Sequence, residues 1–336
     1  MKIWIDMSNA PHVNFFYDLI KFWESCGHSV IVTARPHSNT LELLNKRKLK
    51  FYCIGRHYGK SRFKKVFGFL IRCFELWFFL RKFEIDRSCS QSSFYSPVVS
   101  FLLKIKCLYT NDNEYAFGNI FGFLLANKVL LPKSLYSWSK KRVIFGEVMF
   151  YEGVKEGVYL HNTEIRHKAS LHPRKSKIYF RTEPWNAQYH SDKPNLFFKF
   201  IESLLESHEV HLLPRTIQQK EYFRPLQIKG LKFQDSVSTL EDILYNCDYF
   251  IGAGGSMTRE LAFLGKPSIS VYTGNLLSVD LVLIKAGVLK QANIDKLGDI
   301  RLLFKNITSN NRKSLDLLKS NGLDAFKLIS KEVISY

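Results

Sequence analysis

The chain has no CxxC pair, no histidine pair at ligand spacing beside its cysteines, and no DxD-type pair of carboxylates. Its six cysteines (Cys26, Cys53, Cys73, Cys89, Cys107 and Cys247) therefore read as buried thiols of a reducing compartment. They do not form a zinc site or a disulfide framework, and no metal is assigned. No uncharged apolar run reaches the ~18 residues needed to cross a bilayer. No apolar leader and cleavage site precede the first strand, because Met1-Lys2-Ile3-Trp4-Ile5-Asp6 enters it directly; the expected location is cytoplasmic. The loop after that strand is not GxGxxG, which disfavours an NAD-type site there.

Acidic residues are also scarce, at 30 against 49 Lys and Arg, for a formal charge of +19 over 336 residues. Residues 1–147 carry 23 basic and 10 acidic residues, and 46–87 alone carry 13 against 3. Such an excess speaks to partners rather than fold, and admits nucleic acid, anionic lipid or phosphorylated substrates. With 46% apolar residues and a mean hydropathy of −0.12, the chain is globular and long enough for two domains, each with its own core.

Apolar strand patterns alternate with helical periods from the amino terminus. Strands at 1–6 and 29–34 flank a helix in which Phe15, Leu19, Ile20 and Trp23 recur, a βαβ start of doubly wound type. In such sheets ligands bind at the carboxyl ends of the strands. The loop there offers Asp6, Asn9 and His12 for substrate contact, or an Asx turn with a solvated histidine. A strand at 50–54 leads to Gly55-Arg56-His57-Tyr58-Gly59 on the same edge, adding Arg56 and His57 to the substrate-binding candidates. Residues 60–82 interleave Arg62, Lys64, Lys65, Arg72, Arg81 and Lys82 with Phe63, Phe67, Phe69, Leu70, Phe74, Trp77, Phe78 and Phe79. The stretch reads as a core-facing helix with a basic solvent face, as an interfacial membrane helix, or as a single-strand nucleic-acid binder, although no nucleic-acid module accompanies it. Thr110-Asn111-Asp112-Asn113-Glu114 ends another strand. Asp112 or Glu114 can serve as general base, and Asn111 and Glu114 also have the spacing of a capping box. Residues 146–164, with three glycines and no clear period, read as an interdomain connection.

The second series of strands and helices centres on Gly252-Ala253-Gly254-Gly255-Ser256-Met257-Thr258-Arg259-Glu260. An apolar strand, a small-residue turn and a helix start make an anion site of free N–H groups and positive helix end. Gly254, Gly255, Ser256 and Thr258 are placed for a diphosphate. Glu260, one turn beyond Ser256, suits a ribose diol; the plainer reading is a turn and helix with a salt-bridged glutamate. Two other strands finish at Arg181 and Arg215, a residue type that suits diphosphate or a surface ion pair.

The quoted segments Met1–Val13, Gly55–Gly59, Asn111–Glu114 and Gly153-Val154-Lys155-Glu156 resemble an uncharacterised prokaryotic family of GT-B-like proteins. That family is similar in turn to the non-hydrolysing UDP-N-acetylglucosamine 2-epimerases and to the glycosyltransferase that adds N-acetylglucosamine to the lipid-linked peptidoglycan precursor. The resemblance implies an α/β fold of GT-B type, two Rossmann-like domains facing a central cleft. The expected boundaries are 1–150 for the acceptor and membrane side, 151–175 for the connection, 176–315 for nucleotide-sugar binding, and 316–336 for a terminal helix. It places Gly254, Gly255 and Ser256 on the diphosphate, Glu260 on the uridine ribose, and Glu114 at an acidic position of the epimerases. Arg181-Thr182-Glu183-Pro184 falls where the epimerases carry a catalytic histidine, and contains none.

The expected function is therefore a metal-independent glycosyltransferase of surface polysaccharide or glycolipid synthesis. Its donor is a nucleoside-diphosphate sugar acting as substrate, so no cofactor is assigned, and its acceptor is a glycan or lipid-linked molecule. Glu114, Asp112 or His12 would act as base, the basic aromatic helix would meet an anionic membrane surface, and no specific nucleic acid is expected. A UDP-sugar 2-epimerase is the alternative within enzymes. A non-catalytic polyanion binder is the alternative outside them.

Overall fold

A computed structural model describes residues 1–37, 39–56, 62–140, 142, 145–163, 175–183, 194–215, 217–224, 229–234, 239–293 and 312–335. The chain divides into two compact units, Met1–His161 with Leu277–Val279 and Lys319–Tyr336, and Asn162–Leu276 with Asp280–Leu318.

The first unit is built from β1 (Lys2–Met7), α1 (Ala10–Ser25), β2 (Ser29–Ala34), α2 (Thr40–Lys46), β3 (Tyr52–Cys53), α3 (Arg62–Leu80), β4 (Arg87–Gln91) and α4 (Tyr95–Leu103). It continues through β5 (Lys106–Thr110), α5 (Asn119–Leu125), β6 (Lys128–Pro132), the single turn α6 (Tyr136–Ser139), β7 (Glu147–Tyr151) and α7 (Lys155–Leu160). Its strands form one parallel sheet in the order β3-β2-β1-β4-β5-β6-β7. Ile3, Trp4, Ile5 and Met7 are all buried, as a strand covered on both faces requires. The strand order reverses beside β1, and at such a point the carboxyl ends of the strands open a crevice. The expected first loop is shorter than read: β1 runs to Met7 and α1 starts at Ala10, so His12 lies inside a helix.

The stretch 146–164 is not a plain connection. It holds β7, the seventh strand of the sheet, and α7, whose residues are all buried. Its glycines have a packing reason. A Cβ on Gly322, in the terminal helix, would lie 2.5 Å from the Gly157 carbonyl oxygen, so the two helices touch main chain to main chain.

The second unit is built from β8 (Lys177–Arg181), α8 (Pro194–Leu205), β9 (Glu209–Leu213), α9 (Ile217–Phe223), β10 (Lys232–Phe233), α10 (Leu240–Asn246), β11 (Tyr249–Gly252), α11 (Gly255–Phe263), β12 (Ser268–Ser270), α12 (Ser278–Lys285) and β13 (Leu289–Gln291). Its parallel sheet runs β10-β9-β8-β11-β12-β13. Ile178, Phe180, Phe200, Val210, Leu212 and Ile251 form its core.

The last helix, α13 (Arg312–Ser335), returns to the first unit from Lys319 onward. There Trp23 Nε1 donates to the Ser330 carbonyl at 3.2 Å, and Lys128 Nζ meets Glu332 at 2.6 Å. The expectation of buried thiols holds for Cys73, Cys89, Cys107 and Cys247, whereas Cys26 and Cys53 are exposed. No described helix is long and apolar enough to cross a membrane.

Candidate functional site

In the first unit the carboxyl ends of β1, β4 and β5 gather a buried polar cluster. Asp6 is fully buried and ion-paired with Arg72 of α3. Arg72 Nη1 and Nη2 donate to the two carboxylate oxygens at 2.9 and 2.6 Å, a bidentate geometry. Thr33 and Ser93 hydroxyls add 2.8 and 3.1 Å bonds, and Trp4 Nε1 donates to Thr33. Burial raises the Asp6 carboxyl, but Arg72 and the two hydroxyls outweigh it and hold the group below its ordinary value. Arg72 Nε donates to the Ile54 carbonyl, and its guanidinium lies 4.2 Å from the Tyr95 ring centroid. Gly55 has φ +92, and a Cβ there would meet the Arg72 stem at 2.6 Å; only glycine leaves room for this route to Asp6. The basic solvent face expected of 60–82 therefore loses Arg72, which belongs to the site. The side chains of Lys64 and Lys65 lie outside the described residues.

Asp112, just past β5, accepts from Gln91 Nε2 at 2.9 Å and pairs with Lys155 of α7 at 2.7 Å. Arg35 donates to the Ser8 carbonyl and to the Tyr95 hydroxyl, each at 3.0 Å. His12 is 4% exposed, so the alternative of a solvated histidine is corrected. Burial first, and then the Lys155 charge, push its imidazole down to about 4, which keeps it neutral at pH 7. Its Nδ1 is buried with no hydrogen-bond partner.

Asn9 is the residue before α1, and its carbonyl accepts from His12 N at 3.1 Å. Arg56 is exposed, and His57 lies outside the described residues. The capping box expected from Asn111 to Glu114 does not form. Asn111 Oδ1 accepts from Asn113 N at 3.2 Å in an Asx turn, and the next helix starts only at Asn119. Glu114 instead accepts at Oε1 from the N–H and hydroxyl of Ser278, each at 2.7 Å. Ser278 groups with the first unit.

In the second unit three adjacent strand ends converge. Gly252 of β11 lies beside Arg181 of β8, and Arg181 beside Leu213 of β9. Arg181 Nη1 donates to the Pro214 carbonyl at 3.0 Å, while Arg215 Nε donates to the Thr182 carbonyl at 2.6 Å. Gln219 of α9 ties the two loops: its side-chain carbonyl accepts from Thr182 Oγ1 and from Arg215 N, and its amide donates to Glu183 O. Neither arginine forms an ion pair with a carboxylate among the described residues. Burial, and then the nearby Arg215 charge, bring Arg181 down to about 9; burial brings Arg215 down to about 10. Two guanidiniums are thus held in a half-buried place with no carboxylate partner among the described residues.

One strand over, α11 begins at Gly255 after an extended Gly254, and no side chain caps it. Gly255 is exposed and Ser256 half-buried, so the first turn of N–H groups opens to solvent. The Thr258 hydroxyl is committed to the Gly254 carbonyl at 2.6 Å and braces the turn. Glu260 is buried. Arg259, also buried, is paired with Asp280 at 3.1 Å. Among the described residues no group of three or more His, Cys, Asp or Glu could hold a metal ion.

Sequence reading did not find Arg72, Thr33, Ser93, Lys155 or Gln219. For Lys155 the motif Gly153-Val154-Lys155-Glu156 was a usable signal; the others are common residues made special by partners distant in the chain.

A family model described as a protein of unknown function, DUF354, matches residues 1–336. The chain belongs to this family. A DUF354 chain of this kind is similar along its whole length to the uncharacterized protein MJ0665 of Methanocaldococcus jannaschii. The two are 28% identical over 348 residues, covering 100% of this chain and 98% of that one. Among solved structures it is similar to the UDP-GlcNAc 2-epimerase of Neisseria meningitidis bound to UDP-GlcNAc, with TM-score 0.73, 13% identity, and 98% and 100% of the two chains covered. It is also similar to the spinosyn forosaminyltransferase SpnP, with TM-score 0.65, 13% identity and 99% of each chain covered. At such identities the likeness establishes the fold. This DUF354 protein has the expected α/β fold of GT-B type, with two Rossmann-like units.

Proposed function

We propose that the protein acts on a nucleoside-diphosphate sugar, as a glycosyltransferase whose second unit holds the nucleotide. The observation that carries this reading is the pair Arg181 and Arg215, half-buried and without a carboxylate partner among the described residues, at the strand ends beside the open amino end of α11. Guanidiniums supply planar, paired donors to phosphate oxygens, and the helix end adds N–H groups and a positive dipole. The same groups would stabilise charge on the departing diphosphate, so the reading relies on fixed positive groups rather than a metal ion. Gly254, Gly255 and Ser256 would line the diphosphate, and Glu260 would take the ribose diol.

In the first unit, His12 is the group best suited to move a proton. It is neutral, and its Nδ1 lacks a partner, whereas Asp112 is neutralised by Lys155 and Glu114 is engaged with Ser278. Asp112 and Lys155 then act as positioning residues around it. The acceptor would be a hydroxyl of a glycan or lipid-linked molecule, as in surface polysaccharide or glycolipid synthesis.

The test is calorimetric titration with UDP, GDP, CMP and dTDP and their sugars. One nucleotide should bind, and Arg181→Ala should weaken it at least about tenfold, the worth of one charge-assisted bond pair. Lack of binding by every nucleotide, with smooth salt-dependent retention on heparin, would replace this reading by a polyanion binder. A second reading, a UDP-sugar 2-epimerase, is supported by the higher TM-score to the epimerase than to the transferase. It predicts deuterium uptake at sugar C2 from heavy water in the absence of any acceptor, which a transferase does not catalyse.

A further inference from the structure

The helix α3 has two apolar faces. Cys73, Leu76 and Leu80 point into the core against Trp4, Val99 and Tyr95. On the opposite side Val66, Phe67, Leu70, Phe74 and Phe78 are exposed, Phe67 by 65% and Phe74 by 62%. The spacing from Phe67 to Leu70, Phe74 and Phe78 is three, four and four residues, a single stripe along the helix. Between Val66 and Leu80 every exposed position is one of these five apolar residues. A helix facing only water carries charges there.

The stripe does not stand alone. The connections after β3, β4 and β5 all run in one direction across the sheet, so right-handed crossovers put α3, α4 and α5 on one face. Phe69 of α3 stacks on Phe121 of α5 with ring centroids 5.0 Å apart. The neighbouring helices add exposed Phe101 and Leu102 at the end of α4, Ile120 in α5, and Phe117 just before it, 88% exposed. Scattered exposed apolar residues are ordinary, but a set of this extent on one layer marks an interaction surface.

The charge around it is mostly positive, with Glu75 inside α3 and Glu84 after it as the acidic exceptions. In sequence Arg62, Lys64 and Lys65 open α3, and Arg81 and Lys82 close it. Arg81 lies over the Phe78 ring of the stripe at 4.2 Å and over Trp77 at 5.3 Å, and Lys82 lies over Phe79 at 4.9 Å, so Arg81 closes the end of the stripe. Exposed Lys104 and Lys106 follow α4. An apolar patch rimmed by cations matches a lipid surface with anionic headgroups, where aromatics enter the acyl boundary and Lys and Arg meet phosphates. A second copy of the chain is the poorer occupant, because a two-fold contact sets this patch against its own like charges.

We propose that the α3–α4–α5 face of the first unit docks on the surface of an anionic phospholipid bilayer. The face inserts Phe67, Leu70, Phe74 and Phe78 without any segment crossing the membrane. This inference is independent of the nucleotide reading, since none of its residues belongs to either polar site.

The test is co-sedimentation of the full-length protein with vesicles of phosphatidylcholine, with and without phosphatidylglycerol. The protein should bind the anionic vesicles and bind pure phosphatidylcholine far less, with binding falling as salt is raised. Phe74→Glu should weaken binding by at least about tenfold, since one large apolar side chain leaves the acyl boundary. Phe78→Ser is the second variant and should act in the same direction. Arg81→Gln combined with Lys82→Gln should reduce binding to anionic vesicles only. Nucleotide affinity, measured in parallel, should be unchanged in all variants. Absence of vesicle binding, or equal binding by Phe74→Glu and Phe78→Ser, overturns the proposal. So does a stable dimer that Phe74→Glu dissociates, which would assign the face to a second copy.

Discussion

Asp6 is a charged carboxylate with no exposure to solvent, and the protein tolerates it because Arg72 answers it with two parallel bonds. A pair of this kind contributes little against a well-packed apolar substitute, but removing one partner strands the other. Arg72→Met should therefore cost about 3–5 kcal/mol. Combining it with Asp6→Asn should recover part of the loss. Urea midpoints of the two variants check this, and equal midpoints would mean that the pair is not coupled. Arg72 could not be recognised from the sequence. It sits among solvent-type cations in a basic stretch, and its partner is 66 residues away.

His12 offers a pH test at the same scale. Its folded value of about 4 lies below the ordinary 6.5. Below about pH 6.5 the unfolded chain takes up a proton that the folded protein refuses, until about pH 4. The contribution of the neutral imidazole is thus complete above the unfolded value and is lost as pH falls toward the folded one. It amounts to about 2 kcal/mol lost between about pH 7.5 and pH 5. The charges acting on the ring are Lys155 and Arg35, which disfavour the imidazolium, and Asp6 and Asp112, which favour it. His12→Gln should remove that part of the pH slope in urea unfolding. A slope identical to that of the parent would mean that His12 titrates normally.

At the scale of elements, segments with a clear local period were legible and the stretch 146–164 was misjudged. β1, α1 and the turn between β11 and α11 stand out because apolar period, cap and glycine agree locally. The stretch 146–164 did not, because its glycines answer to a helix that arrives from the far end of the chain. The contact of Gly322 with the Gly157 backbone is the determining one. Backbone cannot retreat as a flexible side chain can, so Gly322→Ala should displace α13 and cost about 1–3 kcal/mol. The loss should appear as a lower thermal midpoint, with weaker protection of β7 and α7 from hydrogen exchange. An unchanged midpoint would show that α13 is seated elsewhere. The run Asn111–Glu114 failed as a capping box for a similar reason: its side chains satisfy their own turn and Ser278 rather than the next helix.

Over the whole molecule, two successive α/β series and one glycine turn are written in local periodicity and anticipate two Rossmann-like units, while the GT-B type came from the family resemblance of the quoted segments. The polar clusters were only half visible. Their strand-end members could be placed by the rule for open sheets, whereas Gln219, Lys155 and Arg72 act through partners that only the folded chain supplies. The division of labour proposed for the two units makes a prediction about the chain as a whole. Saturation with the nucleotide that binds stabilises the folded state by about 2.7 kcal/mol at a hundred times its dissociation constant. Amide exchange should then slow most at 177–183, 209–215 and 252–263, the strand ends and helix start around Arg181, Arg215 and Gly254. The strands of the first unit should change least in the absence of acceptor. Mass-spectrometric exchange with and without nucleotide resolves these segments. Protection confined to β1, β4 and β5 would move the nucleotide to the Asp6 and His12 cluster, and the arginine pair would then need another anion.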